Sequence, residues 1–147
     1  MRARHRGFTL IEILTALVVV VVLAAIAIPL YRTHLLRVRR ADVRAALMAI
    51  QSAQDRHFGR TARYADGAQL DQAKPAGLGL KTASERGDYR LELHAATDGL
   101  GYVATARVIG QSGQDADTRC AEMSIDQNGQ RRAFDASGAD RSQDCWK

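Results

Sequence analysis

The sequence lacks the short motifs on which most enzymes and metal proteins depend. It contains no glycine-rich phosphate loop, no Cys-x-x-Cys pair and no His-Glu-x-x-His helix. No nucleophile is paired with a base, and the four histidines are scattered over different segments. These histidines are His5, His34, His57 and His94. The absences predict a chain that is not an enzyme and has no metal site and no cofactor.

Two acidic stretches also lack the pattern of a cation site. Asp126-Gln127-Asn128-Gly129 carries oxygen ligands but has no later bidentate acid, so it is predicted to be a turn. Asp115 and Asp117 are predicted to be solvated acids rather than ligands of a cation.

Charge is missing from Ile13 to Tyr31, a run of about 19 residues that includes five consecutive valines. At about 1.5 Å per residue, a helix of this length crosses most of a hydrocarbon core of about 30 Å. One acid, Glu12, stands at its leading edge. The short leader before it is basic, with Arg2, Arg4, His5 and Arg6.

No small-x-small cleavage pattern closes this run, so an ordinary secretory signal does not fit, whereas a single-pass anchor does. Glu12 leaves two interpretations open. A carboxylate inside an apolar span is costly and points to function, or it lies close enough to the interface to be solvated. Pro29 removes one backbone hydrogen bond, which predicts a kink or a local break near Ala25 to Pro29.

The net charge of +5 is concentrated at the start of the chain. Residues 32–58 contain six arginines and two acids, whereas residues 59–147 contain twelve bases and thirteen acids. The basic character therefore belongs to the segments that flank the apolar run, where it fits attraction to anionic head groups. The net charge of the last 89 residues is near zero, which does not strongly indicate a surface that binds nucleic acid.

Helical periodicity continues over residues 32–58 and predicts an amphipathic half that covers a sheet. The apolar stripe consists of Leu36, Val43, Leu47, Ile50 and Phe58, with Ala46 and Ala53 beside it. Most of the arginines fall elsewhere, at Arg37, Arg39, Arg40, Arg44 and Arg56. They are predicted to form a solvated collar that faces lipid, and contacts between subunits or with DNA phosphates remain the alternative. His57, Phe58 and Gly59 mark the predicted end of the helix.

Residues 59–87 are predicted to be a connecting loop with a short helical turn near Ala68 to Ala73. Alternation of apolar and polar residues predicts strands at Tyr89 to Ala95 and Tyr102 to Val108. A third strand is predicted at Cys120 to Ile125 and a fourth at Gln130 to Phe134, followed by a tail.

The two cysteines, Cys120 and Cys145, both lie in the last third of the chain. If the domain is exported, a disulfide is expected, and a pair of buried thiols is the alternative. The bond would close a loop of roughly 26 residues and add about 3.5 kcal/mol in the chain-entropy model.

The stretch Arg6-Gly7-Phe8-Thr9-Leu10-Ile11-Glu12, followed by the apolar run, resembles the class III signal and first helix half of type IV pilins. The resemblance implies that prepilin peptidase cuts between Gly7 and Phe8 and methylates the new amino group of Phe8. It also implies that Glu12 pairs with the Phe8 ammonium of a neighbouring subunit, and that Pro29 marks a stretch that loosens in the fibre. The two charges would be costly alone in an apolar filament core, and pairing them fixes the stagger between subunits.

The remainder of the chain resembles the pilin head, which implies an α+β fold with one long helix on a four-stranded antiparallel sheet. The domain boundaries are then a leader at 1–7, a transmembrane half at 8–31, an amphipathic half at 32–58 and a head at 59–147. Within the head, 59–87 is the helix-to-sheet loop, 88–134 the sheet and 120–145 the disulfide-bounded region. The Cys145-Trp146-Lys147 end makes the chain most similar to small PilE-type minor pilins.

The expected function is that of a minor pilin, a structural subunit used in pilus biogenesis, twitching motility and adhesion. Its expected partners are prepilin peptidase, other pilin subunits, the assembly machinery and the inner membrane, with the head in the periplasm before export into the fibre. One alternative is a competence-type pilin that binds DNA, and another is a type II secretion pseudopilin. The candidate DNA contacts are Arg131, Arg132, Arg141 and Lys147.

Overall fold

A computed structural model describes residues 9–110 and 117–147 of the chain. The chain separates into two compact units, of which the first ends at Leu35 and the second is Leu36–Lys147. Helix α1 (Leu10–Thr61) contributes to both units, and every other described element lies in the second. These elements are a 3-10 helix (Gly67–Gln69), β1 (Tyr89–Ala95), β2 (Tyr102–Val108), a second 3-10 helix (Thr118–Cys120), β3 (Glu122–Asp126), β4 (Arg131–Phe134) and α2 (Ser142–Cys145).

The first unit consists of the apolar part of α1. Its residues from Thr9 to His34 are exposed, except Ala24, which is half-buried. By length and composition this part of α1 is apolar enough to cross a membrane. The helix continues through Pro29 without interruption, so the predicted local break is not present. A bend at Pro29 stays a prediction.

The second half of α1 supplies one wall of the core. Val43, Leu47 and Ile50 have no exposed surface, which confirms the centre of the predicted stripe. The ends of the stripe, at Leu36 and Phe58, are only half-buried. The core cluster combines these α1 residues with buried residues of the strands and of the loop after α1.

Two buried polar residues of α1, Gln54 and His57, were not predicted to lie in the core. Gln54 donates from Nε2 to the carbonyl of Ala65 and accepts from its amide, both at 2.8 Å. One amide side chain therefore attaches the loop after α1 to the helix. His57 is 4% exposed, which shows a buried position at a point where the sequence indicated a helix end.

The predicted helix end at Phe58 and Gly59 is wrong by one turn, because α1 reaches Thr61. Nothing crowds Gly59, so the helical backbone continues through it at a small cost in propensity. The end is set instead by Ala62, which takes a left-handed φ of 56° and donates its amide to the Phe58 carbonyl at 2.8 Å.

The four strands form an antiparallel sheet in the order β1-β2-β3-β4. One buried row crosses all four strands, from Leu91 to Ala106, Met123 and Ala133. The bounds of β1 and β2 confirm the predicted strands. Ala104 and Ala106 of β2 belong to the same buried cluster as Val43, Leu47 and Ile50 of α1.

The third and fourth strands begin later than predicted. Cys120 lies in a 3-10 helix, and β3 starts at Glu122, which is the first residue paired with both Arg107 and Phe134. Gln130 is not in β4, because its amide donates to the Asp126 carboxylate at 2.9 Å and completes the turn. The predicted turn at Asp126 to Gly129 is confirmed, with Gly129 at a φ of 73°.

The predicted arginine collar is wrong for two of its members, which form ion pairs with the head. Arg40 binds the Asp117 carboxylate through two contacts of 2.6 and 2.5 Å, and the Asp117 side chain is 1% exposed. Arg39 lies 3.4 Å from Asp88, whose side chain is 9% exposed. Asp117 is therefore not the solvated acid that the sequence predicted, since it is a buried counterion of α1.

The predicted disulfide between Cys120 and Cys145 is confirmed, with Cα atoms 5.9 Å apart. Both cysteines are buried. The bond joins the second 3-10 helix to α2, so the predicted tail is a short helix attached to the sheet. The two cysteines are 25 positions apart in the sequence.

The buried Arg40–Asp117 pair leads to a prediction about stability. Asp117→Asn leaves the Arg40 guanidinium partly buried without its counterion, which should lower the free energy of unfolding by about 3 kcal/mol. The matched control is Asp144→Asn, because Asp144 and Arg119 form an exposed pair with side chains 44% and 65% exposed. That change should cost less than about 1 kcal/mol.

Urea unfolding of the full chain in detergent, followed by the fluorescence of the single tryptophan, measures both costs. Equal stabilities of the two variants would contradict the role given to the buried pair.

Candidate functional site

The amino end of α1 carries a capping box that the sequence analysis did not identify. Glu12 Oε2 accepts from the amide and the hydroxyl of Thr9, and the Thr9 hydroxyl accepts from the Glu12 amide, all at 3.3 Å. Thr-x-x-Glu is the usual sequence of this reciprocal cap. The carboxylate therefore lies at the positive end of the helix dipole, which stabilises its charge.

The cleavage and methylation positions, Gly7 and Phe8, lie outside the described residues. Their roles stay predictions, as does the pairing of Glu12 with a neighbouring Phe8. The described part of the chain shows Glu12 to be exposed at the first turn of α1.

The predicted DNA contacts do not form one cluster of available cations. Arg141 is paired with Asp135 at 3.1 Å, and Arg132 donates to the Gln130 side chain at 2.9 Å. The Arg131 guanidinium lies 5.3 Å from the centre of the Trp146 ring. Lys147 lies elsewhere, in a groove against α1.

Two acids hold the turns around these residues and keep their negative charge. The Ser137 hydroxyl and the Ala139 amide hold the pKa of Asp135 below its usual value, with help from Arg141. The hydroxyl and amide of Ser142 likewise lower the pKa of Asp140. Both carboxylates stay ionised at neutral pH beside the predicted contacts, so they offset the positive charge there.

A second basic feature, the basic groove, lies between α1 and the disulfide-bounded end of the chain. It encloses about 430 Å³ and is lined by Arg37, Arg40, Arg44, Arg119, Asp144, Cys145 and Lys147. The three arginines of α1 are spaced by three and four residues, so they share one face of the helix. The Cys120–Cys145 bond anchors the opposite wall.

The cations of the groove fall into two groups. Arg40 and Arg119 have carboxylate partners in Asp117 and Asp144, and the bond to Asp117 raises the pKa of Arg40 above its usual value. Arg37, Arg44 and Lys147 have no acid within 4.0 Å in the described ranges 9–110 and 117–147. These three are available to bind an external anion.

The sequence offered DNA phosphate contacts of the α1 arginines only as an alternative, and it did not show the groove, because the two walls are 75 residues or more apart in the chain. Only the spacing of Arg37, Arg40 and Arg44 was visible, and it indicated a charged helix face. Among the described residues, no group of three or more His, Cys, Asp and Glu side chains could hold a metal ion.

Two family models match the chain. Residues 2–28 match the prokaryotic N-terminal methylation motif. Residues 29–124, about two thirds of the chain, match the family described as type IV minor pilin ComP, DNA uptake sequence receptor. The chain belongs to this family. The α+β fold described above, with its long apolar helix, four antiparallel strands and terminal disulfide, is thus the type IV pilin fold that the sequence predicted.

Individual proteins are also similar to this pilin. The type IV major pilin protein PilA of Myxococcus xanthus (strain DK1622) is 38% identical over 63 residues, which is 43% of this chain. The aligned segment spans only 29% of that protein's length. A solved structure of a type IV pilin from Shewanella oneidensis aligns with 65% of this chain and 89% of its own at 21% identity and a TM-score of 0.47.

Proposed function

We propose that this pilin is a minor subunit of a type IV pilus that takes up DNA. Prepilin peptidase cuts it between Gly7 and Phe8, the apolar half of α1 holds it in the inner membrane, and the head faces the periplasm until assembly. The observation that carries the fibre role is the exposed apolar half of α1 with a single carboxylate at its start.

The exposed side chains of this half need a cover that the described chain does not provide. Leu10, Leu23 and Leu30 are each at least 62% exposed, and most of the other side chains between them are aliphatic. Lipid covers them before assembly, and helices of neighbouring subunits cover them in a fibre. Lipid tails are as apolar as leucine, so this exchange is nearly neutral in hydrophobic free energy. The pairing of Glu12 with the Phe8 ammonium of a neighbouring subunit then favours one axial offset between subunits in the fibre.

The capping box allows the charge of Glu12 to be tested apart from its local role. Glu12→Gln removes the charge but keeps a side chain that can complete the box. Thr9→Ala keeps the charge but breaks the box. If the charge is needed for assembly, Glu12→Gln should reduce the amount of this subunit in sheared pili at least tenfold, whereas Thr9→Ala should reduce it much less.

Immunoblots of the sheared fraction, compared with the membrane fraction, measure this ratio. Normal incorporation of the Glu12→Gln protein at an unchanged membrane level would rule out the charge-pairing mechanism. A loss in the Thr9→Ala variant alone would mean that helix capping, and not the charge, is what assembly needs.

The DNA-uptake role is supported by the description of the matched family and by the three available cations of the basic groove. A pilin that binds DNA needs cations that are not neutralised by its own carboxylates, since affinity comes largely from phosphate contacts and the release of counterions. Arg37, Arg44 and Lys147 meet this requirement within the described residues, although the head as a whole is near neutral.

If the role is correct, the full chain in nonionic detergent should bind fluorescent duplex DNA with a strong dependence on salt. Affinity should fall at least tenfold between 50 and 200 mM salt, because each phosphate contact contributes a slope of about 0.9. Fluorescence anisotropy measures it. An absence of binding at the lowest salt concentration would refute the DNA-uptake role and leave the fibre role standing.

A further inference from the structure

We propose that the basic groove is the surface that holds the DNA backbone, with Arg37, Arg44 and Lys147 as its phosphate contacts. This inference rests on the proposed DNA-uptake function and deepens it. It also moves the expected interface from β4 and the Asp135 turn, where the sequence predicted it, to the cleft between α1 and the C-terminal residues.

Positive charge exceeds negative charge within the groove. Five cations and one carboxylate line it, and the carboxylate of Asp144 is already paired with Arg119. Arg37 and Lys147 are exposed and Arg44 is half-buried, so all three can reach an anion in solution. An anion that enters the cleft therefore meets uncompensated positive charge on both walls.

The spacing of the available cations matches that of several phosphates. Arg37 and Arg44 lie seven residues apart on α1, which is roughly 10 Å along the helix axis. A DNA strand presents one phosphate per about 3.4 Å of its axis, so these two arginines span about three phosphate intervals. Lys147 approaches from the opposite wall. Cations spread over this length suit a polyanion better than the single phosphate of a lipid head group.

Each wall of the groove is attached to the rest of the head. Arg40 is held by the buried Asp117 carboxylate, which fixes its part of α1 against the second 3-10 helix. The wall that carries Lys147 is fixed by the Cys120–Cys145 bond, two residues before Lys147. Arg40 is thus a positioning residue, which fixes the part of α1 that carries Arg37 and Arg44. Guanidinium groups can bind phosphate oxygens through two hydrogen bonds.

The predicted contacts of β4 compete poorly with this arrangement. Arg141 is paired with Asp135, and Arg132 donates to the side chain of Gln130. Within the described residues neither Arg131 nor Arg132 has a carboxylate within 4.0 Å, but Arg131 lies over the Trp146 ring and not in a cleft with other cations.

The test compares three variants of the full chain that each lose positive charge. The groove variant carries Arg37→Gln, Arg44→Gln and Lys147→Gln. The matched control loses the same charge from exposed arginines away from the groove, with Arg56→Gln, Arg60→Gln and Arg90→Gln. A third variant, Arg131→Gln with Arg132→Gln, removes the patch that the sequence predicted.

Each variant is titrated with duplex DNA between 50 and 200 mM salt, and with vesicles of anionic or of neutral phospholipid. The groove variant should lose at least tenfold in DNA affinity, and the slope of log affinity against log salt should fall by about three. The control and the β4 variant should keep the wild-type slope. Thermal unfolding of each variant shows whether its fold is retained.

The outcomes separate this inference from the function on which it rests. If the wild-type chain binds no DNA, the DNA-uptake function is wrong. If it binds DNA and the groove variant keeps the wild-type slope, the function stands and the groove is not the interface. If the groove variant loses binding to anionic vesicles but not to DNA, the groove is a site for lipid head groups and the inference is overturned.

Discussion

The first half of α1 presents apolar side chains that the described chain leaves uncovered. The function of the protein depends on what covers these side chains. From Leu10 to Tyr31 the helix contains one charge, at Glu12, and no buried residue. Each fully buried aliphatic side chain gains roughly 1.5–3 kcal/mol over exposure to water, so the half cannot remain in water. It has to lie in lipid or against other helices, which are the two environments of a pilin before and after assembly.

The second half of α1 has the opposite character, although it belongs to the same helix. Val43, Leu47 and Ile50 form the wall of the core, and the arginines occupy the remaining faces. Two of these arginines are bound to carboxylates of the head, at Asp88 and Asp117. A buried charge without a partner would be strongly destabilising, so these pairs fix the register of the helix against the C-terminal region. Arg37 and Arg44 have no carboxylate within 4.0 Å among residues 9–110 and 117–147.

The parts of the fold that were predicted from sequence are those with a local pattern. β1 and β2 alternate apolar and polar residues over seven positions, and a turn with Asp98 and Gly99 separates them, so both strands were located to the residue. The centre of the α1 stripe was equally clear. Gln54 and His57 were missed because a polar residue at a core position gives no apolar signal. Its burial depends on partners, such as the Ala65 backbone, that periodicity does not show.

The candidate groove was out of reach of sequence reasoning for a related reason. In the sequence, the spacing of its arginines is that of an ordinary solvated helix face. Only the fold places Lys147 and Arg119 beside them. Asp117 appeared to be an exposed acid because its partner, Arg40, lies 77 positions away. At the amino end, by contrast, the class III signal is local. It lies in seven consecutive residues, from Arg6 to Glu12, and is therefore visible in the sequence alone.

The account depends most on the claim that the chain matures by cleavage before Phe8 and joins a fibre. Mass spectrometry of the amino-terminal peptide from the subunit in purified pili tests this claim directly. The account predicts a peptide that begins at Phe8 with a methyl group on its amino nitrogen. A subunit that retains Met1 to Gly7, or an unmodified Phe8 amine, would contradict it.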